Sequence, residues 1–167
     1  MKIGVVSDTH DDEGSVKKIV EILKEKKIKK VWHLGDYVAP PLLKNFEGFE
    51  ISGIFGNNDG YKFGLMQMFQ EIGGKLLGDF AKVDIDGLKI ALYHGEYREI
   101  AEALAKSGDY DVVFFGHWHK AEKTVYGNTI LLNPGSAHSY YKKDSSPTFG
   151  IFDTENKHFE IINIKEE

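Results

Sequence analysis

Five short apolar runs in this sequence each end in residues that can hold a metal ion or move a proton. Ile3-Gly4-Val5-Val6-Ser7 runs into Asp8-Thr9-His10, and Val31-Trp32-His33-Leu34 into Gly35-Asp36. Ile51 to Phe55 is followed by Gly56-Asn57-Asn58-Asp59, Ile90 to Tyr93 by His94-Gly95, and Val112 to Phe115 by Gly116-His117-Trp118-His119. Carboxylate, carboxamide and imidazole are donors suited to Mn²⁺, Ni²⁺, Fe or Zn²⁺. The chain has no cysteine, so any metal has to be held by nitrogen and oxygen alone. Asp8, His10, Asp36, Asn57, His94, His117 and His119 offer seven such donors. That is too many for one ion and suits two ions sharing a bridge. Two carboxylates against two divalent cations leave a positive centre, which attracts phosphate and acidifies a bridging water. A site of this kind is suited to hydrolysing anionic esters.

Each element has a bland reading when taken singly. Asp8 could cap a helix, Gly35-Asp36 could be an ordinary turn, and Asn57 could occupy a left-handed position. His94 alone reads as a hydrogen-bonded structural histidine. His117-x-His119 is stronger, because alternate residues of an extended segment point the same way. The order and placement of all five together mark a site. Ligands of α/β sheets gather beyond the carboxyl ends of the strands, and the adjacent glycines fit tight turns and close backbone approach.

The elements that must position these residues can be read from hydrophobic period and turn chemistry. Strands are expected at Lys2 to Ser7, Lys30 to Leu34, Ile51 to Phe55 and Val112 to Phe115. Val16, Ile19, Val20 and Leu23 recur at helical spacing within Ser15 to Lys26. Further helices are expected at Leu42 to Phe46, Leu65 to Glu71 and Ile100 to Lys106. Asp86-Gly87 and Gly127-Asn128 mark hairpins between Phe80 to Ile85 and Leu88 to Tyr93, and between Thr124 to Tyr126 and Thr129 to Leu132. Thr148 to Phe152 and His158 to Ile164 read as two closing strands. A βαβα opening followed by hairpins implies a layered α/β domain with mixed sheets and outer helices.

The whole chain sets bounds on these readings. Its 167 residues fit one domain, residues 1–167, with no linker or repeat between parts. Apolar residues at 41% predict a packed globule. A net charge of -5 argues against broad nucleic-acid binding, which needs a basic face. No stretch approaches membrane-spanning length and no secretory signal opens the chain, so a cytoplasmic location is expected.

The ordered set D-x-H … G-D … G-N-x-D … H-G … G-H-x-H resembles the calcineurin-like metallophosphoesterase superfamily, in particular its small prokaryotic YfcE-type phosphodiesterases. The resemblance spans nearly the whole chain. It implies a four-layer αββα sandwich with two mixed β-sheets and outer helices. It also implies that Asp8, His10 and His119 hold one ion, that Asp36 bridges, and that Asn57, His94 and His117 hold the second. Asp36, Asn57 and His94 would then act directly in catalysis. The reaction implied is in-line attack on phosphorus by a hydroxide bridging two divalent transition ions, Mn²⁺ foremost, with Ni²⁺, Fe and Zn²⁺ as alternatives. The expected substrate is a small phosphate diester, with no membrane or nucleic-acid partner. The family resemblance also points to a homodimer or higher homo-oligomer. Competing readings are a phosphomonoesterase or nuclease on the same dinuclear site, and a non-catalytic scaffold like the retromer subunit of the superfamily. The seven filled ligand positions favour catalysis.

Two positions depart from the family pattern. Many relatives carry histidine directly after the ligand asparagine, to assist the leaving group, where this chain has Asn58. Trp118 stands where a small or hydroxylated residue is common, and either shapes the pocket or packs in the core. Outside the set, His33 reads as a satisfied core histidine, and Asp59 as a ligand orienter or a cap. Arg98, the only arginine, reads as a helix pair with Glu102. Asn133-Pro134-Gly135-Ser136 reads either as a local turn or as a loop approaching the site, His138, Tyr140 and Tyr141 as an entrance lining, and His158 as a surface strand residue. The Lys24 to Lys30 run reads as a solvated helix end.

Overall fold

The computed structural model describes residues 1–140 and 146–164, and Tyr141 lies outside the described residues. Alternation along the first strand shows how the layers arise. In β1 (Lys2–Val6), Ile3 and Val5 pack into one apolar cluster and Val6 into another, because successive side chains point to opposite faces of a sheet. A methyl group at Gly4, on the Val6 side, would press against Leu23. Leu23 belongs to α1 (Glu13–Glu25), which buries Val16, Ile19, Val20 and Leu23 on one face. Asp12 caps that helix by accepting from Ser15 N–H at 3.0 Å.

Parallel strands β2 (Lys30–His33), β3 (Glu50–Gly53) and β4 (Lys75–Leu76) extend the sheet from β1 on one side. Antiparallel β10 (Thr148–Asp153) and β11 (His158–Asn163) extend it on the other, giving the order β11-β10-β1-β2-β3-β4. The second sheet runs β5-β6-β7-β9-β8, built from β5 (Phe80–Ile85), β6 (Leu88–Tyr93), β7 (Val112–Phe114), β8 (Ala121–Tyr126) and β9 (Thr129–Pro134). Both expected hairpins form, β5 with β6 and β8 with β9, while β6, β7 and β9 pair in parallel.

Three apolar clusters separate four layers. Val6, Val31 and Ile51 of the first sheet pack against α1, a 3₁₀ helix at Pro40–Phe46 and α2 (Lys62–Glu71). Ile3, Val5 and Trp32 meet Ile90, Leu92, Val112 and Phe114 between the sheets. Ala91, Val113 and Phe115 face Ala101 and Ala105 of α3 (Arg98–Ser107) on the far side. The architecture is therefore helices, mixed sheet, mixed sheet, helix, as the family resemblance implies. No helix among the described residues is long and apolar enough to cross a membrane.

Small departures have local causes. β3 ends at Gly53, because Phe55 N–H turns to Gly78 O at 2.8 Å. The two-residue β4 has no sequence signature of its own. Leu42 to Phe46 forms a 3₁₀ turn rather than an α-helix, started by Pro40 and Pro41, whose fixed φ suits a first turn.

Candidate metal centre

All five strand endings converge on one edge of the sandwich, and backbone hydrogen bonds fasten them together. Asp8 N–H donates to Gly35 O at 3.0 Å, His10 N–H to Asp36 O at 3.1 Å, and Gly116 N–H to His94 O at 2.7 Å. Methyl groups would not fit at the glycines between them. At Gly56 one would strike the Asp36 carboxylate, and at Gly116 one would strike Ser7 Oγ and Asp8 Oδ2.

The floor of the site is Asp8, Asp36 and His94, each no more than 1% exposed. Asn57 and His119 form an exposed rim, with His10 and His117 half-buried between. Asp8 Oδ2 is satisfied by the protein, accepting from Ser7 Oγ at 2.5 Å and from His117 N–H at 3.0 Å. Its Oδ1 faces the histidines, at 3.1 Å from His119 Nε2 and 3.7 Å from His10 Nε2. Asp36 Oδ2 lies 3.4 Å from both His10 Nε2 and His94 Nε2. His94 Nδ1–H donates to Leu34 O at 2.7 Å, which turns Nε2 inward, 3.1 Å from Asn57 Oδ1. His117 Nδ1–H donates to the same Asn57 oxygen at 2.8 Å. The seven residues named from the sequence are thus all brought together. Two trios place donor atoms within 4.8 Å of one another, Asp8-His10-Asp36 and Asp36-His94-His117, and Asp36 belongs to both.

The donors fit divalent cations. His10 Nε2 is buried and makes no hydrogen bond, although it points between two carboxylates. Burial opposes charge on His10, yet Asp36 and Asp8 raise its pKa to about 9. Burial opposes charge on His94 too, and Asp36 and Asp8 likewise hold it at about 9. For Asp8 and Asp36 burial works upward, but the facing histidines hold both carboxyls well below the usual range. The two buried carboxylates thus favour positive charge between them, which suits the binding of cations.

Backbone strain marks the same residues. Asp8, His10, Asp36, His117 and His119 all have φ between 40° and 64°, the left-handed region that non-glycine residues seldom occupy. Such strain collects where function requires a side chain at a particular place. It also corrects one expectation. His117 and His119 are not alternate residues of an extended segment that point the same way. Their left-handed turns send His117 toward Asn57 and His119 toward Asp8.

Neighbouring residues gain definite roles. Asp59, 2% exposed, accepts four backbone N–H groups, from Asp36, Tyr37, Val38 and Gly56, at 2.7 to 3.0 Å. It thereby shapes the Asp36 loop. Asn58 grips the Asp36 carboxylate, with its N–H on Oδ1 at 2.8 Å and its Nδ2–H on Oδ2 at 2.7 Å. Asn133 Nδ2–H donates to Gly116 O, and Ser136 Oγ–H to Asp8 O at 3.3 Å, so the Asn133 to Ser136 segment does reach the site. Arg98 pairs with Glu102 as expected and bidentately with Glu122, at 3.0 and 2.6 Å. Trp118 does not pack in the core; it is 49% exposed. His138 is buried rather than lining an entrance, and its Nε2 lies 3.4 Å from His119 Nδ1. It forms a further metal-competent trio with His10 and His119. A lone histidine far along the chain carried no spacing signal that could have assigned it there.

His33 is the satisfied core histidine expected from the sequence. Gly35 N–H donates to Nδ1 at 3.2 Å, which fixes the proton on Nε2, 3.1 Å from Thr9 Oγ1. Protonating Nδ1 would set two N–H groups against each other, and burial holds the ring pKa at about 3 against an ordinary 6.5. Between those values the unfolded chain binds a proton that the folded chain refuses, so His33 costs stability as pH falls from 6.5 toward 3. The cost approaches about 1.4 kcal/mol per pH unit. In metal-free protein, His33→Gln should lose less stability than wild type between pH 7 and pH 4.5. Urea midpoints at the two pH values measure this, and equal losses in the two proteins would contradict it.

Comparison with known proteins agrees with the geometry. Phosphodiesterase MJ0936 from Methanocaldococcus jannaschii is 37% identical over 165 residues, covering 97% of this chain and 98% of that protein. A solved archaeal phosphodiesterase superposes with a TM-score of 0.90 at 36% identity, over 98% of this chain and 99% of that one. YfcE, a phosphoesterase from E. coli, shares the fold alone, with a TM-score of 0.68 at 17% identity over 99% and 100% of the two chains. The calcineurin-like phosphoesterase superfamily domain matches residues 1–157, and the chain belongs to that family.

Proposed function

We propose that this protein is a metal-dependent phosphodiesterase that hydrolyses small phosphate diesters by in-line attack of a water activated between two divalent ions. The observation that carries the reading is Asp36, whose carboxylate joins the Asp8-His10-Asp36 trio to the Asp36-His94-His117 trio. The likeness to proteins named as phosphodiesterases supports a diester substrate. When bound, the two ions would supply Lewis acidity toward the phosphoryl oxygens and lower the pKa of a shared water.

The chain's own residues do the rest. Asp8, His10 and His119 would hold one ion, and Asn57, His94 and His117 the other, with Asp36 between. Ser7 Oγ–H and His117 N–H donate to Asp8, Asn58 donates twice to Asp36, and His94 Nδ1–H donates to Leu34 O, which is the preorganisation such a centre needs. Asn57 and His119 are exposed at the rim, where an ester would approach, and Asp8, Asp36 and His94 are buried beneath. The family resemblance puts Mn²⁺ foremost, and the nitrogen and oxygen donors also suit Ni²⁺, Fe or Zn²⁺.

Metal-loaded protein should contain two ions per chain, about 3.5–4 Å apart as in other two-metal hydrolases. A chelator should abolish hydrolysis of bis-p-nitrophenyl phosphate, and Mn²⁺ or Ni²⁺ should restore it. Elemental analysis finding at most one ion per chain under saturating metal would contradict the dinuclear reading. Comparing phosphomonoester and diester turnover tests the substrate class. A homodimer or larger assembly, the remaining expectation, is read by light scattering.

A further inference from the structure

Trp118 sits between two candidate ligands, His117 and His119, and neither the core nor the ligand set uses it. Its indole Nε1–H donates to Gly95 O at 3.0 Å, and Gly95 directly follows His94. Its ring lies 5.8 Å from the His117 ring at an interplanar angle of 83°. The ring is therefore held in place at its one polar atom, yet it is 49% exposed. With the N–H satisfied, what remains at the surface is hydrocarbon and π-face. The second tryptophan behaves as a core residue should, since Trp32 is 2% exposed and meets Phe114 edge to face. On the opposite flank Tyr140, 46% exposed, stacks on His138 at 5.8 Å and 27°. His138 in turn meets His10 and His119, with ring centroids 4.7 and 4.8 Å away.

We infer that Trp118 is a stacking platform for a planar ring carried by one arm of the ester, so that the site selects diesters of nucleosides or aryl alcohols over those of aliphatic alcohols. The inference rests on the phosphodiesterase reading and names the substrate class within it. Stacking on an aromatic side chain tolerates any planar ring, because each has a π-face. A single ester charge suits a chain of net charge -5 better than a polyanion would.

Two measurements test this. In the first, wild type, Trp118→Ala and Trp118→Phe are compared on a nucleoside methyl phosphodiester, an aryl methyl diester and a dialkyl diester. The nucleoside and dialkyl substrates are matched in leaving-group acidity, so stacking is read apart from chemistry. Trp118→Ala should raise KM for the ring-bearing diesters relative to the dialkyl diester by about 5- to 150-fold, the usual range for one stacked ring. Trp118→Phe should recover much of that ratio. A larger loss on the nucleoside arm assigns a nucleobase, and one on the aryl arm assigns a simple aryl group. In the second measurement, adenosine and ribose are titrated into metal-free protein while tryptophan fluorescence is followed. Adenosine alone should quench wild type, and the quench should vanish in Trp118→Phe. An unchanged KM ratio in Trp118→Ala on both ring-bearing diesters overturns the inference, and no adenosine quench in wild type overturns its nucleoside form. If wild type hydrolyses no diester at all, the proposed function fails instead, and the fluorescence titration still reports on the platform.

Discussion

Asp36→Asn is expected to reduce kcat/KM for a phosphodiester by on the order of 10³-fold, more than either His10→Ala or His119→Ala, since each 1.36 kcal/mol of lost charge stabilisation slows the reaction tenfold. Each of those histidines faces Asp8, and each would serve one ion. Asp36 joins the two trios that contain carboxylates, with Oδ2 at 3.4 Å from His10 Nε2 on one side and from His94 Nε2 on the other. The carboxylate is also 1% exposed, so no solvent anion can take its place. Asparagine keeps the shape and the fold of the loop, because Asp59 still accepts the N–H of residue 36. It removes the negative charge and turns one oxygen into a donor that confronts Asn58 Nδ2–H. The comparison needs elemental analysis of each variant alongside kinetics. If Asp36→Asn retained most of the wild-type turnover with two ions bound, Asp36 would not be the bridge.

The parts of this molecule that were legible in the sequence are those governed by period and by strand ends. Ile3 and Val5 against Val6 show the two-residue alternation that makes a sheet with two covered faces, and Val16-Ile19-Val20-Leu23 shows the helical one. The seven candidate ligands were legible because each follows an apolar run directly, and parallel strands bring their carboxyl ends to one edge. What was hidden depends on contacts between distant segments. Asp59 and Asn58 serve Asp36 across about twenty residues of sequence. His138 reaches His119 only because the turn after β9 folds back over Asp8. The left-handed φ of Asp8, His10 and Asp36 runs against local preference, and no sequence rule would place it there. Propensity predicts what is locally easy, and these residues are held where the fold and the site require them.

The absence of an acid at Asn58 should make hydrolysis depend steeply on the leaving group. Cleavage of a diester expels an oxyanion, and a positioned acid that protonates it contributes about 10²–10⁴-fold. Asn58 has no acidic proton, and its amide is committed to Asp36 Oδ2 at 2.7 Å. Two titratable residues close to Asn58 and Asp36 are committed elsewhere. His33 is fully buried behind Thr9 and held neutral, and Asp59 is spent on four backbone N–H groups. Activated nitrophenyl diesters should therefore react well and simple dialkyl diesters poorly, with kcat/KM falling steadily as leaving-group pKa rises. Two substitutions separate the roles of Asn58. Asn58→Ala loosens Asp36 and should lower all rates while leaving the slope as it is. Asn58→His also gives up the grip on Asp36 but offers a proton, so it should lower rates for activated esters and flatten the slope by helping the poor leaving groups. The measurement is a series of diesters of graded leaving-group pKa, run on all three proteins with chemistry shown to be rate-limiting. A flat dependence in wild type would mean that another group donates the proton, and His138, 3.4 Å from His119 Nδ1, would be the residue to replace next.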